Sequence, residues 1–349
     1  MTNDRRKRLL SPRGRTVAVV LSLTVAAAAT VFAVTSATTS AGAGPTNPTP
    51  VAPTKPTVIP GTYVALGDSY TSGPDVPVQL GPTTTPSAPS ACQRSSANYP
   101  SLVARALGLQ LDDVSCGGAT TDDMTESQGP GIPPQFDALR STTALVTVGI
   151  GGNDLGFSTI AANCASYTPW GPTRVGWSCQ DHYLAGGVDE LAATVESVGA
   201  KVTAVLREVQ ARSPGAAIFV VGYPDILPPT GSGCWPSLPF RSVDLAFLRG
   251  VESELNTALA TAAANAGAHY VDTATPSADH SACTSTDTRW VEPVLPTPGT
   301  FPLHPDATGM AGMAGVLEAA IQTSGTQSIG AQFSATQSPS AGVGLAGSA

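Results

Sequence analysis

The segment Tyr63–Gly73 reads YVALGDSYTSG. An apolar run stops abruptly at Gly67-Asp68-Ser69, so Ser69 follows the carboxyl end of a predicted strand. A serine hydroxyl attacks an acyl carbon only when a base takes its proton and donors hold the oxyanion that forms. Groups able to fill those roles stand at other predicted strand ends. Gly149-Ile-Gly-Gly-Asn153-Asp154 closes a second apolar run. Its glycines allow a sharp turn and a close approach to a ligand, and Asn153 offers a side-chain amide as an oxyanion donor. Cys116-Gly117-Gly118-Ala119-Thr120 follows a strand-like stretch, Leu109–Ser115, and its glycines can present a backbone N–H. His304, in Phe301-Pro-Leu-His304-Pro305, is the candidate base. Asp68 and Asp154 read as loop-stabilising acceptors of backbone N–H groups. Each motif alone is weak, because Gly, Asp, Asn and Ser are ordinary turn residues. The signal lies in all four occurring in this order.

The elements that must position them alternate between strand and helix patterns. Thr62–Leu66 and Ala144–Ile150 read as buried strands. From Val188 to Val209, apolar residues recur at three- and four-residue steps, the mark of an amphipathic helix of about six turns. Ala217–Val221 follows as a strand, Leu245–Ala266 as a second long helix, His269–Asp272 as a strand and Ala307–Gln322 as a last helix. Apolar strands separated by helices of this length imply a parallel sheet covered on both faces. Functional groups in such sheets lie beyond the carboxyl ends of the strands, which is where Ser69, Asn153 and Asp154 fall.

Composition narrows the class. Of 349 residues only 12% are charged, and the formal net charge is -8, which argues against a nucleic-acid partner. Residues 1–43 combine a basic head (Arg5 to Arg8, Arg13, Arg15), an uncharged stretch from Val17 to Val34 and a small-residue Ala41-Gly-Ala43, the layout of a secretory signal peptide. A permanent N-terminal membrane anchor is the alternative. The Arg5-Arg6 pair hints at twin-arginine export. Residues 44–60 are a Pro/Thr-rich linker, 61–322 the folded domain, and 323–349 an uncharged tail expected to be disordered. Six cysteines in an exported chain suggest three disulfides, whose pairing spacing does not choose. No Cys-x-x-Cys pair exists and the four histidines do not cluster, so no metal site is expected.

Together these motifs resemble the SGNH (GDSL) hydrolases, and are most similar to the secreted actinobacterial lipases and esterases of that superfamily. The resemblance spans about 61–322. It rests on Gly67-Asp68-Ser69-Tyr70, Gly118-Ala-Thr-Thr121, Gly151-Gly152-Asn153-Asp154 and His304. It implies a three-layer α/β/α flavodoxin-like fold with a central parallel sheet. It implies Ser69 as nucleophile, His304 as base, and an oxyanion hole made by the Ser69 and Gly118 N–H groups and the Asn153 amide. It also implies the disulfides Cys92–Cys116, Cys164–Cys179 and Cys234–Cys283, and a reaction on acyl esters without cofactor. A secreted monomer is expected.

One position departs from the family pattern. The family carries Asp three residues before the histidine, and here that residue is Phe301. The Phe301 backbone carbonyl is expected to accept the His304 Nδ1–H, with Asp306 or Asp272 as alternative orienters. Three readings of function stay open: a lipase or esterase for apolar acyl esters, a carbohydrate or cell-wall O-acetyl esterase, and an inactive surface protein that binds through the old cleft. The inserts Pro74–Ser90 and Thr168–His182, the latter with Trp170 and Trp177, are candidates either for rimming the acyl site or for packing under a disulfide loop.

Overall fold

The computed structural model describes residues 62–81, 90–165, 167–168, 171–172, 178–231, 233–298 and 300–336. The signal segment, the linker, Trp170 and Trp177 therefore lie outside the described residues. Five strands form one all-parallel sheet: β1 Thr62–Gly67, β2 Gln110–Asp113, β3 Thr143–Gly149, and further along β6 Ala217–Val221 and β7 His269–Val271. Their order across the sheet is β2-β1-β3-β6-β7. Counting only these five strands, that is the 2-1-3-4-5 order of flavodoxin-like folds. β4 Tyr167–Thr168 and β5 Gly171–Pro172 make a separate small antiparallel pair.

Successive residues of β1 and β3 are buried, so both sheet faces are covered, as continuous apolar runs require. The short α1 (Ser69–Ser72) follows β1, and α2 (Tyr99–Leu107) precedes β2. After β3 come α3 (Gly152–Leu155), α4 (Phe157–Cys164), α5 (Cys179–Tyr183) and α6 (Glu190–Arg212). Then follow α7 (Ser242–Asn265), α8 (Ala274–Ser277) and α9 (Ala307–Thr336). The long helices α6 and α7 pack on one another, and α2 packs on α9.

Local chemistry sets the boundaries where they differ from expectation. Helix α6 begins at Glu190, because the Asp189 carboxylate accepts the Leu191 and Ala192 N–H groups as an N-cap. Val188, predicted to open the apolar stripe, thus precedes the helix and is 61% exposed. Val195, Val198, Val202, Leu206 and Val209 are buried as the periodicity requires. Each such side chain contributes about 1.5–3 kcal/mol of burial. Helix α9 overruns the predicted domain end at 322 and continues to Thr336. The sequence supplies no proline between Pro305 and Pro339 to stop it.

Candidate active site

Ser69 is placed by the tight junction of β1 and α1. Asp68 caps α1, its Oδ1 accepting the Tyr70 N–H at 2.9 Å. The Gln135 side-chain amide grips the end of β1, donating to Gly67 O at 2.9 Å and accepting the Gly67 N–H at 2.8 Å. Only glycine fits there: a Cβ on Gly67 would sit 2.2 Å from Thr71 Oγ1 and 2.6 Å from Gly149 O. Ser69 itself is 8% exposed.

Beside β1, the end of β3 turns at Gly151, whose φ of +121° favours glycine and where a Cβ would meet Val198 at 2.9 Å. The turn delivers Asn153. Its Nδ2 donates one N–H to Ala119 O at 2.9 Å, which leaves the second amide hydrogen for a ligand. Asp154 accepts the Thr121 N–H at 2.9 Å and the Thr121 hydroxyl at 2.5 Å, and Lys201 Nζ lies 3.2 Å away. Loop 116–121 is thereby tied to the β3 loop. It is tied to β1 through Cys116 N–H to Gly67 O (3.0 Å) and to the preceding loop by the Cys92–Cys116 disulfide. Gly118 within it has φ +78°. The Ser69 N–H opens a helix, where first-turn N–H groups have no helical acceptor.

His304 Nε2 lies 2.7 Å from Ser69 Oγ, and Nδ1 lies 2.7 Å from Pro302 O. The expectation for Phe301 is therefore corrected: the orienting carbonyl belongs to Pro302. The reason is a turn. Phe301 O accepts the His304 N–H at 3.3 Å, and Leu303 has φ +56°. With proline second and a positive φ third, this is the type II pattern. The Phe301 carbonyl closes the turn and the Pro302 carbonyl is left to face the imidazole. The Phe301 ring still touches the histidine, edge-on at 4.7 Å between centroids. Asp272 caps α8 through Ala274 and Thr275, and Asp306 accepts the Gly309 N–H. Burial pushes the His304 pKa down to about 4, and the Pro302 bond offsets this only partly. At neutral pH the imidazole is neutral and able to accept a proton.

Two tyrosines had no sequence signal beyond their positions, one next to Ser69 and one just past β6. Tyr70 donates to Leu303 O at 2.5 Å and its ring packs against His304 at 4.9 Å. Tyr223 donates to Asp68 Oδ2 at 2.6 Å and accepts the Gly152 N–H at 2.8 Å. It joins the β1 and β3 loops through one hydroxyl. Burial raises the Asp68 pKa to about 7, against the pull of these bonds. Beside Ser69 and His304 opens a pocket walled mainly by apolar side chains, among them Leu155, Phe157, Ile160, Leu248, Val251 and Leu255.

This geometry places a hydroxyl, an imidazole and the Asn153 amide at the β1/β3 crevice, the switch point where ligands bind in open α/β sheets. A model of the GDSL-like lipase/acylhydrolase family matches residues 65–311. The chain belongs to this family. It is a carboxylic-ester hydrolase with a GDSL fold. Over 253 residues it is 39% identical to "Lipase 2" of Streptomyces coelicolor, covering 72% of this chain and 83% of that protein. Among solved structures, phospholipase A1 from Streptomyces albidoflavus is 29% identical with a TM-score of 0.60, over 74% of this chain and 99% of that one. An extracellular lipase from Streptomyces rimosus is 28% identical with the same TM-score, over 74% and 99%. The chain's three disulfides, Cys92–Cys116, Cys164–Cys179 and Cys234–Cys283, all join residues outside the sheet strands. Among the described residues no helix is long and apolar enough to cross a membrane.

Proposed function

We propose that this hydrolase cleaves esters of aliphatic acids by a Ser69–His304 dyad. The observation that carries the reading is the 2.7 Å contact between His304 Nε2 and Ser69 Oγ at the mouth of an apolar pocket. His304 takes the Ser69 proton as Oγ bonds to the ester carbonyl carbon. The Ser69 and Gly118 N–H groups and the free Asn153 amide hydrogen hold the oxyanion. Collapse breaks the C–O bond to the alcohol, which leaves with the proton from Nε2. Water then attacks the acyl-enzyme with His304 again as base, releasing the acid. The Pro302 carbonyl fixes the tautomer throughout.

The pocket walls favour an alkyl chain over a sugar, since they offer few polar partners. Hydrolysis of p-nitrophenyl esters from acetyl to palmitoyl tests this. Turnover that rises beyond acetyl into the medium chains is expected. Activity confined to acetyl esters would assign the O-acetyl esterase reading instead, and no turnover by folded protein would leave a substrate outside the series or the inactive binding reading.

We also propose that the chain acts as a monomer and is exported with residues 1–43 removed; its three disulfides support the export. N-terminal sequencing of protein recovered from culture medium should begin near residue 44. An intact residue 1–43 segment in membrane fractions would show an anchor.

A further inference from the structure

Between the last disulfide and His304 the chain buries an ion pair that the reaction does not use. Arg289 is 7% exposed and Glu292 2%. Their contact is bidentate, Nε to Oε1 at 3.1 Å and Nη2 to Oε2 at 2.6 Å. Arg289 Nη2 also donates to Thr297 Oγ1 at 2.5 Å, and the Thr297 N–H donates to Glu292 Oε2 at 2.9 Å. Burying two charges costs desolvation that well-packed apolar side chains would avoid, so such a pair is weak evidence for stability. Its geometry points elsewhere.

The backbone of Glu292 brackets the base. Its N–H donates to His304 O at 3.0 Å, and its carbonyl accepts the Leu303 N–H at 3.0 Å. One step on, the Asp306 N–H donates to Trp290 O at 3.0 Å, and Val291 bridges Pro305 in antiparallel register. Residues 290–292 thus act as a splint along 303–306. Trp290 anchors the far end, for a Cβ at Gly312 of α9 would fall 2.2 Å from its indole ring. The ion pair and Thr297 fix the Glu292 end.

We propose that the Arg289–Glu292 pair, with Thr297, is the positioning device of His304. It sets the segment that carries the histidine, and so supplies the alignment that a carboxylate bonded to the imidazole would otherwise share. The proposal rests on His304 as the base.

The test compares Arg289→Met/Glu292→Leu with Glu292→Gln, Thr297→Val and His304→Ala on the octanoyl ester. The apolar double variant should keep its far-UV spectrum and melting temperature, yet lose kcat by roughly 10–100-fold, the scale set by an ångström of misplacement. KM should stay within about twofold, as expected when only transition-state alignment is lost. Glu292→Gln, which keeps the shape of the pair, should recover part of the loss. Thr297→Val leaves the charges paired and should lower kcat several-fold, which keeps the question decidable if the double variant does not fold. Parental kcat in a folded double variant, or in Thr297→Val when the double variant does not fold, would overturn the proposal. Parental activity in His304→Ala would instead overturn the assignment of the base.

Discussion

Ser69→Ala and His304→Ala are each expected to lower kcat by about 10⁶-fold on a p-nitrophenyl ester, and the double variant by no more than either single one. The two groups act as one unit: the hydroxyl is a poor nucleophile until the imidazole 2.7 Å away takes its proton. Residual turnover would come from the oxyanion donors and substrate binding. Losses that multiply in the double variant would mean that the groups act independently. The pH profile supplies an independent reading of the base. The reactive form is neutral His304, and burial holds its pKa down at about 4. The acid limb of kcat/KM should therefore lie near pH 4, with the base already competent at pH 6. A limb near the ordinary histidine value of 6.5 would mean an imidazole exposed to water in the free enzyme. The stability linkage has the same sign. The unfolded chain binds the His304 proton more tightly, so this group's contribution is full above the unfolded value and is lost as pH falls towards 4.

Asn153→Ala should cost about 10²–10³ in kcat, or 2.7–4 kcal/mol, with little change in KM. On the proposed mechanism, the amide hydrogen not used on Ala119 is the donor that a tetrahedral oxyanion gains and a ground-state carbonyl does not. A boronic acid that mimics the tetrahedral adduct should lose affinity in step with kcat. The variant also loses the bond to Ala119 O, but Asp154 still holds Thr121 in the same loop. An Asn153→Ala enzyme with parental kcat and raised KM would move Asn153 from the reacting oxygen to substrate binding.

The strands and their ends were legible because a buried parallel sheet writes itself as unbroken apolar runs stopped by glycine. Ser69 and Asn153 sit at such stops, whereas Gly118 follows β2, whose Gln110–Asp113 residues alternate between exposed and half-buried. The base was legible from its loop position before the last helix and from the family motif, although a loop histidine has no periodic pattern of its own. The orienting carbonyl was misplaced by one residue because the turn decides it. A missing carboxylate shows in the letters Phe301-Pro302-Leu303, but a positive φ at Leu303 does not. Tyr223 was hidden because its hydroxyl serves a residue 155 positions away. The pocket was hidden for another reason. Leu248 and Leu255 stand seven residues apart on α7, a spacing that reads equally well as core. The tail from 323 was read as disordered from its composition, whereas α9 continues to Thr336, with no proline before Pro339 to interrupt it.

The loops around Ser69 are tied in a ring. Gln135 holds Gly67, Tyr223 joins Asp68 to Gly152, Asn153 and Asp154 hold the 119–121 loop, and Tyr70 holds Leu303. None of these ties runs through the apolar side chains of α4 and α7 that wall the pocket. The molecule is therefore modular in one direction only. Its chemical machinery can be inherited or transplanted only as a set, because exchanging one loop strands the partners of the others. The apolar walls can drift residue by residue without breaking these ties, so their shape can change while the reaction itself stays unchanged.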